Sequence, residues 1–237
     1  MAMPTVAMLD SNTAAPNAAR PGVSSDVETA AQGAPGGLYA RFGKRALDLL
    51  LVALMLPVAL PLVFILALLV AWDGGQPFHV QVRVGRGGRR YRLWKLRSMV
   101  PDAEARLAAC LGTDPAARAE WQRSQKLRND PRVTPIGTLL RSSSLDELPQ
   151  LWNVLRGDMS LVGPRPMLPE QQRLYPGRAY FHLRPGLTGP WQVSSRNESA
   201  FADRAAFDEA YARRLSLSTD LRLLAATVQV VLRRTGY

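Results

Sequence analysis

The chain has one cysteine, Cys110, so no internal disulfide can form and the disulfide-stapled secreted class is excluded. A lone thiol fits a reducing compartment. Histidine is equally scarce: His79 and His182 lie too far apart in sequence to suggest a metal pair. No period of about 20 to 50 residues recurs, which removes solenoids and propellers. From Met1 to Gly37 there is no aromatic residue and no apolar periodicity, only a mixture rich in Ala, Pro, Ser, Gly, Asn and Thr. Such a segment cannot bury enough apolar surface to offset chain entropy, so residues 1–40 are expected to be a disordered tail. It also lacks the basic and apolar regions of a secretory signal. Acidic residues are few: 30 Lys plus Arg face 19 Asp plus Glu, a net charge of +11. Residues 1–40 hold Arg20 against Asp10, Asp26 and Glu28, so residues 41–237 carry +13. That excess expects a negative partner, whether nucleic acid, anionic lipid or a phosphorylated substrate.

Apolar residues are abundant at 47%, and their distribution is uneven. Leu49 to Trp72 is a run of 24 uncharged residues, long enough for a membrane helix at about 20 residues per span. A buried soluble helix would show a polar stripe, and this run shows none. Pro57 and Pro61 fall near its middle, each removing a backbone donor and clashing one turn back. Arg41, Lys44 and Arg45 precede the run; Arg83, Arg86, Arg89 and Arg90 follow it. The positive-inside rule puts both flanks on the cytoplasmic side, which suits a helix broken at its prolines that enters one leaflet and returns. A kinked span is the alternative, since membrane helices tolerate proline.

Beyond Asp73-Gly74-Gly75, a turn signal, Phe78–Val84 and Arg90–Leu96 read as a β-hairpin around Gly85-Arg86-Gly87-Gly88. Residues 102–111 and 115–126 read as helices, the second capped by Asp114-Pro115. Residues 129–141, punctuated by Pro131, Pro135 and Gly137, are expected to be mostly loop. A helix is expected over 146–156, stopped by Gly157, and an irregular stretch over 163–189. Two amphipathic helices near 200–215 and 219–234 close the chain, the last suited to a membrane interface or to the core.

The chemistry gathers in LRSSSLDELPQLWNVLRGDMSLVGPRP, residues 140–166. Pro149 is tolerated only in a first helical turn, so the helix is expected to start near Asp146, with Asp146 and Glu147 at its N-terminus. Free N–H groups and the dipole attract anions there and should lower the Asp146 pKa, leaving an ionised nucleophile. Two adjacent carboxylates can also hold Mg²⁺ beside a diphosphate. Ser144, Asp146 and Glu147 equally suit a plain helix cap.

The blocks KRALDLLL…LP (44–61), VGRGGRRYRLWKLRSM (84–99), DPRVTPIGTLLR (130–141), SLDELPQLWNVLRGDMSLVGPRP (144–166) and RPGLTGPWQVSSRN (184–197) resemble the bacterial sugar transferases, the monotopic phosphoglycosyl transferases. The similarity runs from about Phe42 to Tyr237. The block DGGQPFHVQVRVGRGG (73–88) and the ending RRTGY (233–237) look most like short succinoglycan-type galactose phosphotransferases. The resemblance implies an α/β, mostly helical fold: a re-entrant membrane helix over 41–75, then a cytosolic catalytic domain over 76–237 with a short β-hairpin and interfacial amphipathic helices. It implies transfer of a sugar 1-phosphate from a UDP-sugar to undecaprenyl phosphate at the bacterial inner membrane, initiating exopolysaccharide repeat-unit assembly. It further implies Asp146 as covalent nucleophile, Glu147 as its dyad partner, and Mg²⁺. The family's helix break usually reads Ser-Pro, whereas Leu60 precedes Pro61 here, with Pro57 as a second break point.

Lys95, Arg97, Arg141, Arg165 and Arg196 are candidates for diphosphate or nucleotide contact, since guanidinium groups bind phosphate in a bidentate way. The arginines could equally pair with carboxylates or membrane lipid. Trp72, Trp94, Trp152 and Trp191 are expected to pack or to sit at an interface. Galactose is the expected sugar, with glucose next. A non-catalytic membrane adaptor would not need the Asp-Glu pair. A nucleic-acid binder gives no reason for the long uncharged run.

Overall fold

The computed structural model describes residues 37–72, 74–124, 127–194 and 201–232. The expected tail, Asp73, Arg196 and the RRTGY ending lie wholly or mostly outside them. A π-helical turn, Tyr39–Gly43, leads into helix α1, Lys44–Trp72. The run Tyr39–Trp72 is long and apolar enough to cross a membrane. Its buried residues, Lys44, Asp48, Val52, Ala59, Leu66, Ala67 and Val70, recur roughly every turn or two and form one stripe. Leu50, Leu54, Val58, Leu60, Phe64, Leu68 and Trp72 are exposed. The helix is continuous through both prolines, where a break was expected. Each proline leaves one carbonyl a turn back without its usual donor. The packing of Val52 and Ala59 on one core, and of Leu66, Ala67 and Val70 on another, holds both halves in place.

Both ends of α1 are fastened to the globular part. At the start, Lys44 Nζ donates to Asp220 Oδ2 (2.7 Å) and the Tyr211 hydroxyl (2.9 Å), and Arg45 donates to the carbonyls of Val154 and Leu155. One turn on, Asp48 Oδ1 accepts from the Ser160 hydroxyl and the Leu161 N–H. At the far end, Arg97 donates to the Val70 carbonyl (2.8 Å).

Strands β1 (Phe78–Val84) and β2 (Arg90–Leu96) pair antiparallel, Phe78 opposite Leu96, as their alternation and glycine turn predict. Helices α2 (Ala103–Thr113) and α3 (Pro115–Ser124) follow, with Asp114 Oδ1 accepting from the N–H groups of Ala116 and Ala117. Residues 135–143 are helical (α4, Pro135–Ser143) rather than loop. Pro135 does not break this element but starts it, because Thr134 caps the helix through Gly137 N–H and proline suits the first position. Helix α5 is Gln150–Arg156. The stretch expected to be irregular contains a short helix, α6 (Ala179–His182), and a strand, β4 (Gly186–Thr188), parallel to β3 (Ser160–Val162). Helices α7 (Pro190–Ser194), α8 (Arg204–Arg213) and α9 (Leu217–Leu232) complete the described chain.

Candidate active site

The site is built where α4 ends. Ser144 takes a left-handed conformation (φ 58°, ψ 19°), the one described non-glycine residue with positive φ, and its N–H returns to the carbonyls of Leu140 and Arg141. That reversal feeds a 3₁₀ turn, Leu145–Glu147, and only then α5. Asp146 therefore does not start an α-helix as expected; Pro149 occupies the cap position of a seven-residue helix that begins at Gln150. Ser144 makes no side-chain cap, and among the described residues no backbone N–H donates to Asp146. Neither Ser144 nor Asp146 thus acts as a side-chain helix cap.

Asp146 is 7% exposed. Lys95, near the end of β2, places Nζ 2.7 Å from Glu147 Oε1 and 3.9 Å from Asp146 Oδ2. Burial pushes the Asp146 carboxyl up, the Glu147 charge adds to that, and Lys95, Arg141 and Arg165 pull it back. The net direction is upward, the opposite of the helix-terminus expectation. The reason is that desolvation and the Glu147 charge outweigh the pull of Lys95, Arg141 and Arg165.

Of the sequence candidates, Lys95, Arg141 and Arg165 thus act electrostatically on Asp146. Arg141 Nε donates to Ser98 Oγ (2.9 Å) at the end of the hairpin. Arg97 is placed differently: it donates to the Val70 and Gln76 carbonyls, closing the chain where α1 ends. Arg196 is outside the described residues. Arg165 lies over Trp191, its guanidinium carbon 5.9 Å from the ring centroid, and Arg204 lies over the same ring at 4.2 Å. Trp191 is buried, in line with the packing expectation. Burial and the neighbouring Arg165 charge push Arg83 down to about 10 and Arg204 down to about 9. Arg83, Arg165 and Arg204 therefore form one cationic group beside the dyad. Arg83 was read only as a flanking charge and Arg204 was missed. Its signal was a cation on the first residue of a helix, where the dipole disfavours it.

Leu145, next to the dyad, packs with Leu62 and Ile136 against Leu66, Ala67, Val70, Leu96 and Leu140. The apolar helix and the residue that precedes the dyad thus share a packed cluster. Among the described residues no three His, Cys, Asp or Glu side chains form a metal cage. Asp146 and Glu147 offer hard oxygen donors, the set Mg²⁺ takes when it keeps waters and shares substrate phosphates. The pair fits a Mg²⁺ that arrives with a diphosphate.

The profile of the bacterial sugar transferase family matches residues 39–234. The chain is 48% identical over 198 residues to the UDP-galactose-lipid carrier transferase of Erwinia amylovora, covering 83% of this chain but 42% of that protein. It thus spans less than half of that larger relative. It is 42% identical over 207 residues to the exopolysaccharide production protein ExoY of Rhizobium meliloti, covering 86% of this chain and 90% of that one. A UDP-glucose:undecaprenyl-phosphate glucose-1-phosphate transferase of Caulobacter vibrioides is 37% identical over 213 residues, covering 84% of this chain and 74% of the relative.

Proposed function

The chain belongs to the bacterial sugar transferase family, and from that membership we propose that it transfers galactose 1-phosphate from UDP-galactose to undecaprenyl phosphate. The observation that carries the reading is Asp146: a buried carboxylate, surrounded by Lys95, Arg141 and Arg165, whose neighbour Leu145 packs on the apolar helix. An Asp146 carboxylate oxygen attacks the β-phosphorus of the nucleotide sugar. The bond between that phosphorus and the bridging oxygen breaks, and UMP leaves with the electron pair. A phosphate oxygen of undecaprenyl phosphate then attacks the same phosphorus, and the Asp146 carboxylate is released. Arg141, Arg165 and Lys95 are aimed at the charge of the diphosphate, and the Trp191-backed Arg204 and Arg83 extend the cationic surface. Asp146 and Glu147 would hold Mg²⁺, which supplies charge neutralisation of the diphosphate.

The topology belongs to the same proposal. A helix of 29 residues would be about 43 Å long if straight, enough to cross a bilayer. Yet its first turn is tied to Asp220 and Val154, and its last turn to Arg97. Both ends sit on one globular body, which supports a re-entrant segment with the catalytic domain on the cytoplasmic face of the inner membrane.

The test is intact-protein mass spectrometry after incubation with Mg²⁺ and either UDP-galactose or UDP-glucose, without acceptor. A hexose-phosphate adduct from UDP-galactose, discharged by undecaprenyl phosphate, is the expected result. An adduct formed only from UDP-glucose would reassign the sugar, a reading that the Caulobacter relative's name favours. Product without any adduct would overturn the covalent mechanism.

A further inference from the structure

A second cationic site lies away from the dyad. Gly85, Arg86, Arg89, Arg90, Gly157 and Arg184 line a cleft of about 540 Å³. Two elements measure its separation from Asp146. Arg90 begins β2, and Lys95 lies about 16 Å further along it at ~3.3 Å per residue. Gly157 ends α5, about 10 Å from the Gln150 end at ~1.5 Å per residue. Dyad and cleft therefore occupy opposite ends of the same strand and helix.

The cleft is short of negative charge. Among the described residues, none of Arg86, Arg89, Arg90 and Arg184 is in an ion pair. Asp158, the acid on its wall, is engaged by Arg156 (3.4 Å) and Asn153 (3.3 Å). The guanidinium of Arg184 and the backbone that carries Arg86 and Arg89 are also held in place. Arg184 Nε donates to the Gly157 carbonyl (3.0 Å). The Gly85–Arg89 turn is closed by Gly85 N–H to the Arg89 carbonyl (2.6 Å) and Gly88 N–H to the Gly85 carbonyl (3.1 Å). Gly87 and Gly88 have φ of 68° and 76°, which only a residue without Cβ adopts cheaply. Burial and the charges of Arg45 and Arg86 disfavour the charged form of Arg184. Like charges crowded on one short turn and on the fixed Arg184 are relieved by an anion with several acceptor oxygens.

The surroundings indicate which anion. Gly157 abuts Arg45, whose guanidinium ends α5 at Val154 and Leu155. One turn beyond Arg45 the exposed apolar face of α1 begins, at Leu49 and Leu50. The cleft thus adjoins the polar end of the long apolar helix, the place where charged residues meet an exposed apolar face. We propose that this cleft binds the phosphodiester headgroup of an anionic phospholipid at a site separate from the Asp146 dyad. The inference rests on membrane association and not on the transfer reaction.

The test uses the full chain in neutral detergent, with phosphatidylglycerol or phosphatidylcholine added and retained lipid counted by native mass spectrometry. Wild type is expected to retain phosphatidylglycerol in preference to phosphatidylcholine. The double variant R86Q/R89Q should lose about 10- to 30-fold in that retention, at roughly one tenfold step or less per neutralised arginine. R106Q/R118Q, which loses the same charge from α2 and α3, should bind as wild type. Arg86 and Arg89 are exposed, so the fold should persist; if the double variant unfolds, R89Q alone provides the comparison. Equal retention by R86Q/R89Q and wild type, or equal loss in R106Q/R118Q, overturns the site. Hydrogen exchange across residues 85–91 supplies the second arm. Protection by inorganic phosphate as strong as that by phosphatidylglycerol would mark a soluble-anion site and overturn the lipid assignment.

Discussion

Lys95 serves two carboxylates unequally: its ammonium lies 2.7 Å from Glu147 Oε1 and 3.9 Å from Asp146 Oδ2. Glu147 therefore holds the lysine in place, and the lysine in turn opposes the burial that raises Asp146. Lys95→Met keeps the apolar stem and removes the charge. It should lower the rate of adduct formation by about 10²-fold and move the acid limb of the rate profile to higher pH, with Lys95→Arg recovering part of the loss. Single-turnover kinetics across pH would show both effects. An unshifted acid limb would mean that Lys95 does not act on Asp146.

The upward displacement of Asp146 fixes the sign of the wild-type pH dependence. The nucleophile is the carboxylate, so activity should fall as pH drops through a pKa above the ordinary carboxylate value of about 4. Asp146→Asn should give neither adduct nor product, and Glu147→Gln should lower both severely. Since Asp146 accepts from no backbone N–H and asparagine keeps its shape, the melting temperature of Asp146→Asn should stay close to wild type. Turnover largely intact in Asp146→Asn would end the assignment.

Asp208 gives a stability prediction. It is buried, accepts from the Tyr175 hydroxyl at 2.9 Å, and is pushed up to about 7, chiefly by burial. A carboxyl raised above its unfolded value of about 4 favours the fold below that pH, and the favour is lost as pH rises through about 7. Asp208→Asn retains an acceptor for Tyr175 and removes the ionisation. Thermal melts between pH 4 and 8 should show a flatter profile for the variant than for wild type.

Gly137 tests the support of the site. A Cβ there would run into the backbone of Ser98, the residue whose hydroxyl accepts from Arg141. Gly137→Ala should push α4 from the hairpin, cost about 2 kcal/mol or more, and lower adduct formation through Arg141. Denaturant titration and single-turnover kinetics would report the two effects.

The topology can be read directly. In a Cys110→Ala background, cysteines at Leu38 and Gln76 should both be shielded from an impermeant thiol reagent in intact cells and react after lysis. Labelling of either from the periplasm would overturn the re-entrant reading. Pro57→Leu/Pro61→Leu restores two backbone donors and should shift the segment toward spanning.

The hairpin, the Asp114 cap and the apolar run were readable because each rests on short-range rules: alternation, a glycine turn, a cap beside a first-turn proline. Residues 135–143 escape a reading by proline and glycine as breakers, because Thr134-Pro135 is a helix start. The β3–β4 pair was invisible because Ser160 and Gly186 meet across distant sequence. For the dyad, the residues were evident and their environment was not. Burial of Asp146 depends on Lys95, Leu145 and the end of α1 converging, and no local pattern encodes that convergence.

The anchoring of α1 has a consequence for synthesis. Lys44 and Asp220 are separated by 176 positions. At about 5–20 residues per second, roughly 10–35 s pass between the emergence of the lysine and that of its aspartate. Within that interval Arg97 emerges first to meet Val70, then Val154 and Leu155 to meet Arg45, and the aspartate that holds the first turn comes last. Before Arg97 appears, orientation is left to the flanking arginines and the two prolines. The Lys44–Asp220 contact acts late, as a lock that closes on an orientation already chosen, and a chain that has crossed the bilayer by mistake has no partner waiting for its lysine.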